Sequence, residues 1–303
     1  MTGLHAIHEV GRAVTVRDGE LDIFRYVYVP DHPTVESPRP YVHPLRTRGG
    51  RSVSLYRPHD HVWHKGITWS LPVVADENFW GGPTYVRGEG YVWLPNNGTQ
   101  RHTGETRVAR AAGAVVIEHE LEWITQAGER WFTERRRLTA ATVGGAAWAL
   151  TFDTELRNVR GAAVSIGSPT TRGRENAGYG GLFWRGPRSF TNGTLLAPGV
   201  RGGDELRGQR HEWMAYVGRH DEEDASSVLL MLDDPGNVQH PPQWFARSEE
   251  FAALNPAPFF SEEHVVPDGG VLRLRYGIGV ADGDADDVPL LADLVRDRLR
   301  SGA

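Results

Sequence analysis

The chain has 303 residues, 33 Lys and Arg against 39 Asp and Glu, a net charge of -6, 39% hydrophobic residues and no cysteine. That composition suits a soluble globular protein and excludes disulfide frameworks, cysteine nucleophiles, Fe–S clusters and thiolate zinc sites. No basic block offers a surface for nucleic acid, no apolar run nears the roughly 18 residues of a membrane-spanning helix, and the opening residues MTGLHAIHEV lack the features of a secretory leader, so a cytoplasmic protein is expected, with neither nucleic acid nor membrane as partner.

Period-2 alternation dominates from the start. Segments 13–19, 20–29, 114–123, 130–140, 146–157, 162–168, 226–234 and 271–280 all read as strands, separated by clusters of Gly, Pro, Asn and Asp. Two stretches read as helical. SEEFAAL (248–254) makes a turn or two at most. Segment 288–300 is better, with Val288, Leu291, Val295 and Leu299 near one face behind Asp286 and Asp287 as caps. Many strands without βαβ alternation exclude Rossmann and TIM-barrel folds, and no 40-residue blade repeat points to a propeller. The expected fold is all-β: a large two-sheet antiparallel sandwich with a short C-terminal helix, one domain over residues 1–303.

The densest polar and aromatic run is residues 56–69, YRPHDHVWHKGITW. In an extended chain His59 and His61 share a face, with Asp60 opposite, and His64 keeps company with them only if a turn intervenes. Three His within six residues could ligate a divalent metal such as zinc or iron, or serve as acid and base, or belong to a solvated loop. The adjacent Trp63 and Trp69 weigh against the last. Cupin, metallo-β-lactamase and HExxH patterns are all absent. Of the 33 Lys and Arg residues, 32 are Arg. The single lysine, Lys65, is therefore incidental, or marks a place needing a compact ammonium or a neutral amine.

A second cluster, 232–247, holds Asp233, Asp234, Asn237, His240, Trp244 and Arg247 around three prolines. It reads as a sugar site, with an aromatic face and forked donors, or as a capped strand-to-loop corner. A third, 170–185, carries Arg172, Arg174, Tyr179 and Trp184 among glycines that allow close backbone approach. It fits neither a phosphate loop nor a serine-hydrolase elbow. Glu262, Glu263 and His264 precede the last strand.

Several of these pieces occur together and in order: Asp60-His61-x-x-His64-Lys65-Gly66, Phe79-Trp80, GYGGLF (178–183), Asp234-Pro235-x-Asn237, His240-Pro241 and Trp244. In this the chain resembles, from about residue 20 to 283, the soluble PmoA family, whose domain carries the label methane oxygenase PmoA. It departs from the pattern at Trp63, where many relatives have His. The resemblance implies a supersandwich of the galactose-mutarotase type and a place in sugar catabolism. The expected function is then a carbohydrate-active enzyme, an isomerase, lyase or hydrolase, acting on a sugar, keto-sugar or glycoside without a cofactor. His61, His64 and Lys65 are the expected catalytic residues. His59, Asp60, Trp63, Trp80, Arg172, Tyr179, Asn237, His240, Trp244, Arg247 and Glu263 are expected to bind substrate, the two loop clusters meeting at one cavity. A metal enzyme using His59, His61 and His64, and a non-catalytic sugar-binding protein, are the alternatives.

Overall fold

In a computed structural model, residues 3–221 and 223–301 are described. Two large antiparallel sheets face each other. One has eight strands in the order His5–Glu9, Ala13–Asp18, Leu21–Val27, Tyr41–Leu45, Ile67–Ser70, Gly181–Arg185, Ala253–Ala257, Gln243–Arg247. The other has nine: Val200–Gly202, Thr194–Ala197, Trp213–Arg219, Ser226–Asp233, Val271–Asp282, Ala147–Asn158, Arg130–Val143, Ala114–Ile124, Thr99–Ala111. The expected all-β sandwich is thus the observed one. A three-stranded sheet and the two-stranded hairpin Thr84–Val86/Gly90–Val92 complete it.

The core follows from alternation. Val14, Val16, Phe24, Trp69, Leu182 and Trp244 of the first sheet pack on Ile117, Leu138, Trp148, Leu150, Met231 and Ile278 of the second. Phe24 stacks on Trp148 at 5.4 Å and Trp184 meets Tyr216 at 5.3 Å. A buried polar knot sits between the sheets. Glu134 takes two bonds from Arg136, at 2.8 and 2.9 Å, and one each from Trp123 and Thr154.

Helix α1 (Val288–Ser301) matches the expected segment. Val288, Leu291, Val295 and Leu299 are buried against the outer face of the nine-stranded sheet. Gly277 and Gly279 make room there, since a Cβ at either would lie 2.7 Å from Val295. The cap differs from expectation. Asp284 accepts from the Asp286 amide while Asp287 reaches back to the Asp284 amide, a reciprocal box on the 3-10 turn Ala285–Asp287, its cap two residues before the first of those expected. Segment 248–254 is not helical. It is a bend leading into Ala253–Ala257, and it sends Phe251 outward while Ala252 and Leu254 join the core. Among the described residues no helix is long and apolar enough to cross a membrane.

Because strand residues alternate, the outer face of the eight-stranded sheet receives Phe183 and Arg185 from one strand, and Phe245 and Arg247 from another. That face carries the site described next.

Candidate functional site

Leu55 pairs with Arg185 and Arg185 with Gly66 through backbone bonds of 3.0 and 2.8 Å, so both ends of segment 55–66 are fixed to the sheet. Between them the chain makes two successive tight turns: the His61 amide bonds the Pro58 carbonyl, and the His64 amide the His61 carbonyl, each at 2.9 Å. These turns set His61 and His64 on one side, their rings stacked 4.8 Å apart. Gly66 ends the loop at φ +60°, where a Cβ would lie 2.1 Å from the Val42 carbonyl oxygen; no other residue fits. Trp63 lies on a floor of Gly81 and Gly82, its carbonyl held by Arg39 at 2.7 Å.

His61, Trp63 and His64 open into a cavity of about 290 Å³, at the small end of ligand sites. Trp80, Tyr179, Phe183, Phe245 and Phe251 form its apolar walls, and Tyr91, from the small hairpin, closes one side. Arg174, Arg247 and Glu250 supply charge. Tyr179 shares a 2.9 Å hydroxyl contact with Tyr91, whose hydroxyl also accepts from Arg174. Burial pushes the Tyr179 hydroxyl well above its usual range.

The Asp60 carboxylate stands 3.2 Å from His61 Nδ1, close enough for attraction though not aligned as a full hydrogen bond. Against the opposing effect of desolvation, its own backbone amide, His61 and Arg188 hold the Asp60 carboxyl down to about 2. Burial lowers His61, and lowers His64 far more, so both imidazoles are neutral near pH 7. His64 Nδ1 is buried and has no hydrogen-bond partner among the described residues.

Six of the expected residues therefore meet at one cavity: His61, Trp63, His64, Trp80, Tyr179 and Arg247. Asp60 stands behind them. The others do not, and each has a physical reason. Lys65 points away from the cavity. Wholly buried, its Nζ is 2.9 Å from Glu36, which Arg57 also holds with two bonds. Burial, with Arg39 nearby, lowers its amine to about 7. Lys65 supports the loop from below, so the expected catalytic contact is corrected. Trp244 is fully buried in the core, its indole N–H bonded to the His211 carbonyl at 2.8 Å, so it stacks on nothing in the cavity.

His240 and Asn237 both bond Asp233, at 2.7 and 2.6 Å, and Asn237 also pins the Arg275 backbone in both directions. This is the capped corner, apart from the cavity, and the expected meeting of the two loop clusters is corrected accordingly. Arg172 bonds the Ala75 carbonyl and faces Glu263, which Ser165 and Thr171 hold at the small three-stranded sheet. His59 turns to Arg188 at 3.1 Å. Among the described residues no three His, Asp or Glu are grouped to hold a metal ion, so the set His59, His61 and His64 does not assemble as ligands.

The sequence reasoning missed Tyr91, Arg174, Phe183, Phe245, Glu250 and Phe251 as site residues. A larger groove of about 630 Å³ lies on the outer face of the other sheet. Its walls are mostly exposed and half-buried charges, several paired with one another, such as Arg275–Asp153 at 3.0 Å and Arg273–Glu155 at 3.1 Å, with buried His119 and Arg136 among them. That is the pattern of a solvated sheet face.

Fold and site define a class: an all-β sandwich with an aromatic cavity, edged by His and Arg, on the outer face of one sheet. The chain belongs to the family of unknown function DUF6807, whose model matches residues 13–292. This corrects the expected membership of the PmoA family, since the matching model carries the DUF6807 description and not the PmoA one. No curated protein matches the chain. Among solved structures it is similar to a TPR-domain containing protein from Parabacteroides distasonis, at 11% identity and a TM-score of 0.36. That match covers 90% of this chain, which spans about half (48%) of the other.

Proposed function

We propose that the cavity binds a sugar and that the protein is a carbohydrate-active enzyme working by proton transfer. The observation that carries the reading is the Asp60–His61 contact at the edge of an aromatic cavity: Asp60 attracts Nδ1, favouring the tautomer that leaves Nε2 as a base. Trp63 and Trp80 offer flat faces to the C–H surface of a sugar ring. His64, neutral at working pH, acts as a hydrogen-bonding group toward a hydroxyl or carbonyl instead of an acid. The reaction is an isomerisation, elimination or hydrolysis, needs no cofactor, and runs in the cytoplasm; cell fractionation tests the last point.

The test is proton NMR in D₂O with a panel of aldoses, ketoses and nitrophenyl glycosides. The expected result is accelerated deuterium uptake, anomer exchange or aglycone release for one class. His61→Ala should lower that rate by about 10²-fold or more. Because burial lowers the His61 imidazole below its usual 6.5, the rate should climb with pH along a limb below 6.5 and level off by neutrality. Binding without turnover makes the protein a sugar-binding module. No binding by any sugar removes the reading.

A further inference from the structure

Two guanidinium groups, Arg174 and Arg247, line the cavity, and a third, Arg185, lies against its Phe251 wall; all three are short of acceptors. Arg185, 1% exposed, points outward from its strand beside Phe183. It makes no side-chain hydrogen bond among the described residues, and its Nε and Nη1 are buried without partners. Its guanidinium lies 3.8 Å over the ring of Phe251, a wall of the cavity. Arg247 lies 5.3 Å from the same ring, with a buried Nε that is also unpartnered. Arg174 also lines the cavity, its guanidinium 4.6 Å from the Tyr91 ring, and it has no carboxylate partner among the described residues. Arg188 stands outside the lining, paired with Asp60 at 2.9 Å.

Against these stand two carboxylates. Asp60 is shared between His61 and Arg188. Glu250 bonds Arg247, but its side chain is 68% exposed, where solvent weakens the pair. A buried guanidinium without acceptors is costly, and a planar carboxylate is the group its fork accepts best.

We propose that the ligand is an acidic sugar, a uronic or aldonic acid. Its carboxylate is received by Arg247 and Arg174 with Arg185 beneath, and its ring is held among the aromatic walls. This rests on the sugar reading above and adds the charge of the ligand.

Isothermal titration of the full chain with glucose, galactose and mannose, each beside its uronic acid, and with gluconate, tests it. At least one acid should bind ten-fold or more tighter than its neutral counterpart, with affinity falling as NaCl is raised. In Arg174→Met and Arg247→Met, checked for folding by circular dichroism, the acid-to-neutral ratio should fall toward one. Neutral sugars binding as well as their acids, or a ratio unmoved in both variants, overturns the acidic-sugar proposal and leaves the sugar reading standing. No binding by either set overturns both. Sodium acetate alone is the probe for a carboxylate without a ring. If acetate binds as tightly as the acids, the site is a plain anion site and the acidic-sugar proposal falls.

Discussion

Lys65→Met should stabilise the protein at neutral pH, by an amount that shrinks as pH rises. Lys65 is wholly buried, with Glu36 2.9 Å away and Arg39 near enough to repel it. In the unfolded chain the amine holds its proton up to 10.5; in the folded protein it does so only up to about 7. Between these values unfolding takes up a proton. Wild-type stability therefore rises with pH across that window, by about 1.4 kcal/mol per pH unit, and is flat below it. The whole window of about 3.5 units corresponds to roughly 5 kcal/mol. Methionine has no proton to gain, and Glu36 keeps both bonds from Arg57, so no carboxylate is stranded. The variant's advantage should fall by about 3 kcal/mol between pH 7 and 9.5. Urea unfolding followed by tryptophan fluorescence at pH 5.5, 7, 8.25 and 9.5 gives the two curves. A difference that stays constant from pH 7 to 9.5 would mean that Lys65 is equally charged in both states, and would falsify the reasoning.

Two other positions give sharp outcomes. Glu134→Ala removes the partner of a buried Arg136 and strands donors on Trp123 and Thr154, so unfolding free energy should drop by about 3–5 kcal/mol; a urea midpoint within error of wild type, at unchanged slope, would contradict the buried knot. Gly66→Ala combines a left-handed backbone, about 1–2 kcal/mol, with overpacking against Val42, about 1–3 kcal/mol more. Its melting temperature should fall by several degrees, and the sugar binding proposed above should weaken with it, because the same residue fixes the His61–His64 loop; an unchanged melting curve refutes the steric argument.

The long strands other than Thr99–Ala111, which is polar on both faces, were legible because one face of each is apolar and the other is not. Ala147–Asn158 alternates Trp148, Leu150 and Phe152 with residues facing helix α1 or solvent, and such a pattern has one reading. The strands that build the site hide for the opposite reason. Gly181–Arg185 and Ala253–Ala257 are buried at every residue, since the core covers one face and the cavity walls cover the other. With both faces buried, alternation disappears. Phe251, Ala252 and Leu254 then mimic helical spacing while pointing to two sides of a bend. The His61–His64 pair was legible as a cluster, but the two tight turns that align the rings are set by backbone bonds to Arg185 and the sheet, which no local pattern records.

The aromatic residues show where register decides function. Three adjacent pairs, Phe79-Trp80, Phe183-Trp184 and Trp244-Phe245, each send one ring to the core and one to the cavity. Sequence reasoning favoured Trp as the ligand-facing member, and for Trp80 that is so. In the other two pairs the core takes Trp and the cavity takes Phe. These two core indoles spend their N–H on a backbone carbonyl, Trp184 on Val53 at 2.7 Å and Trp244 on His211 at 2.8 Å. A buried indole is stabilised by such an acceptor, and the Val53 and His211 carbonyls supply it here. A phenyl ring has no polar group to satisfy, so it can line a chamber whose polar contacts belong to the ligand. The charged and imidazole groups set among the aromatic walls are then few: His61, His64, Arg174, Arg247 and Glu250.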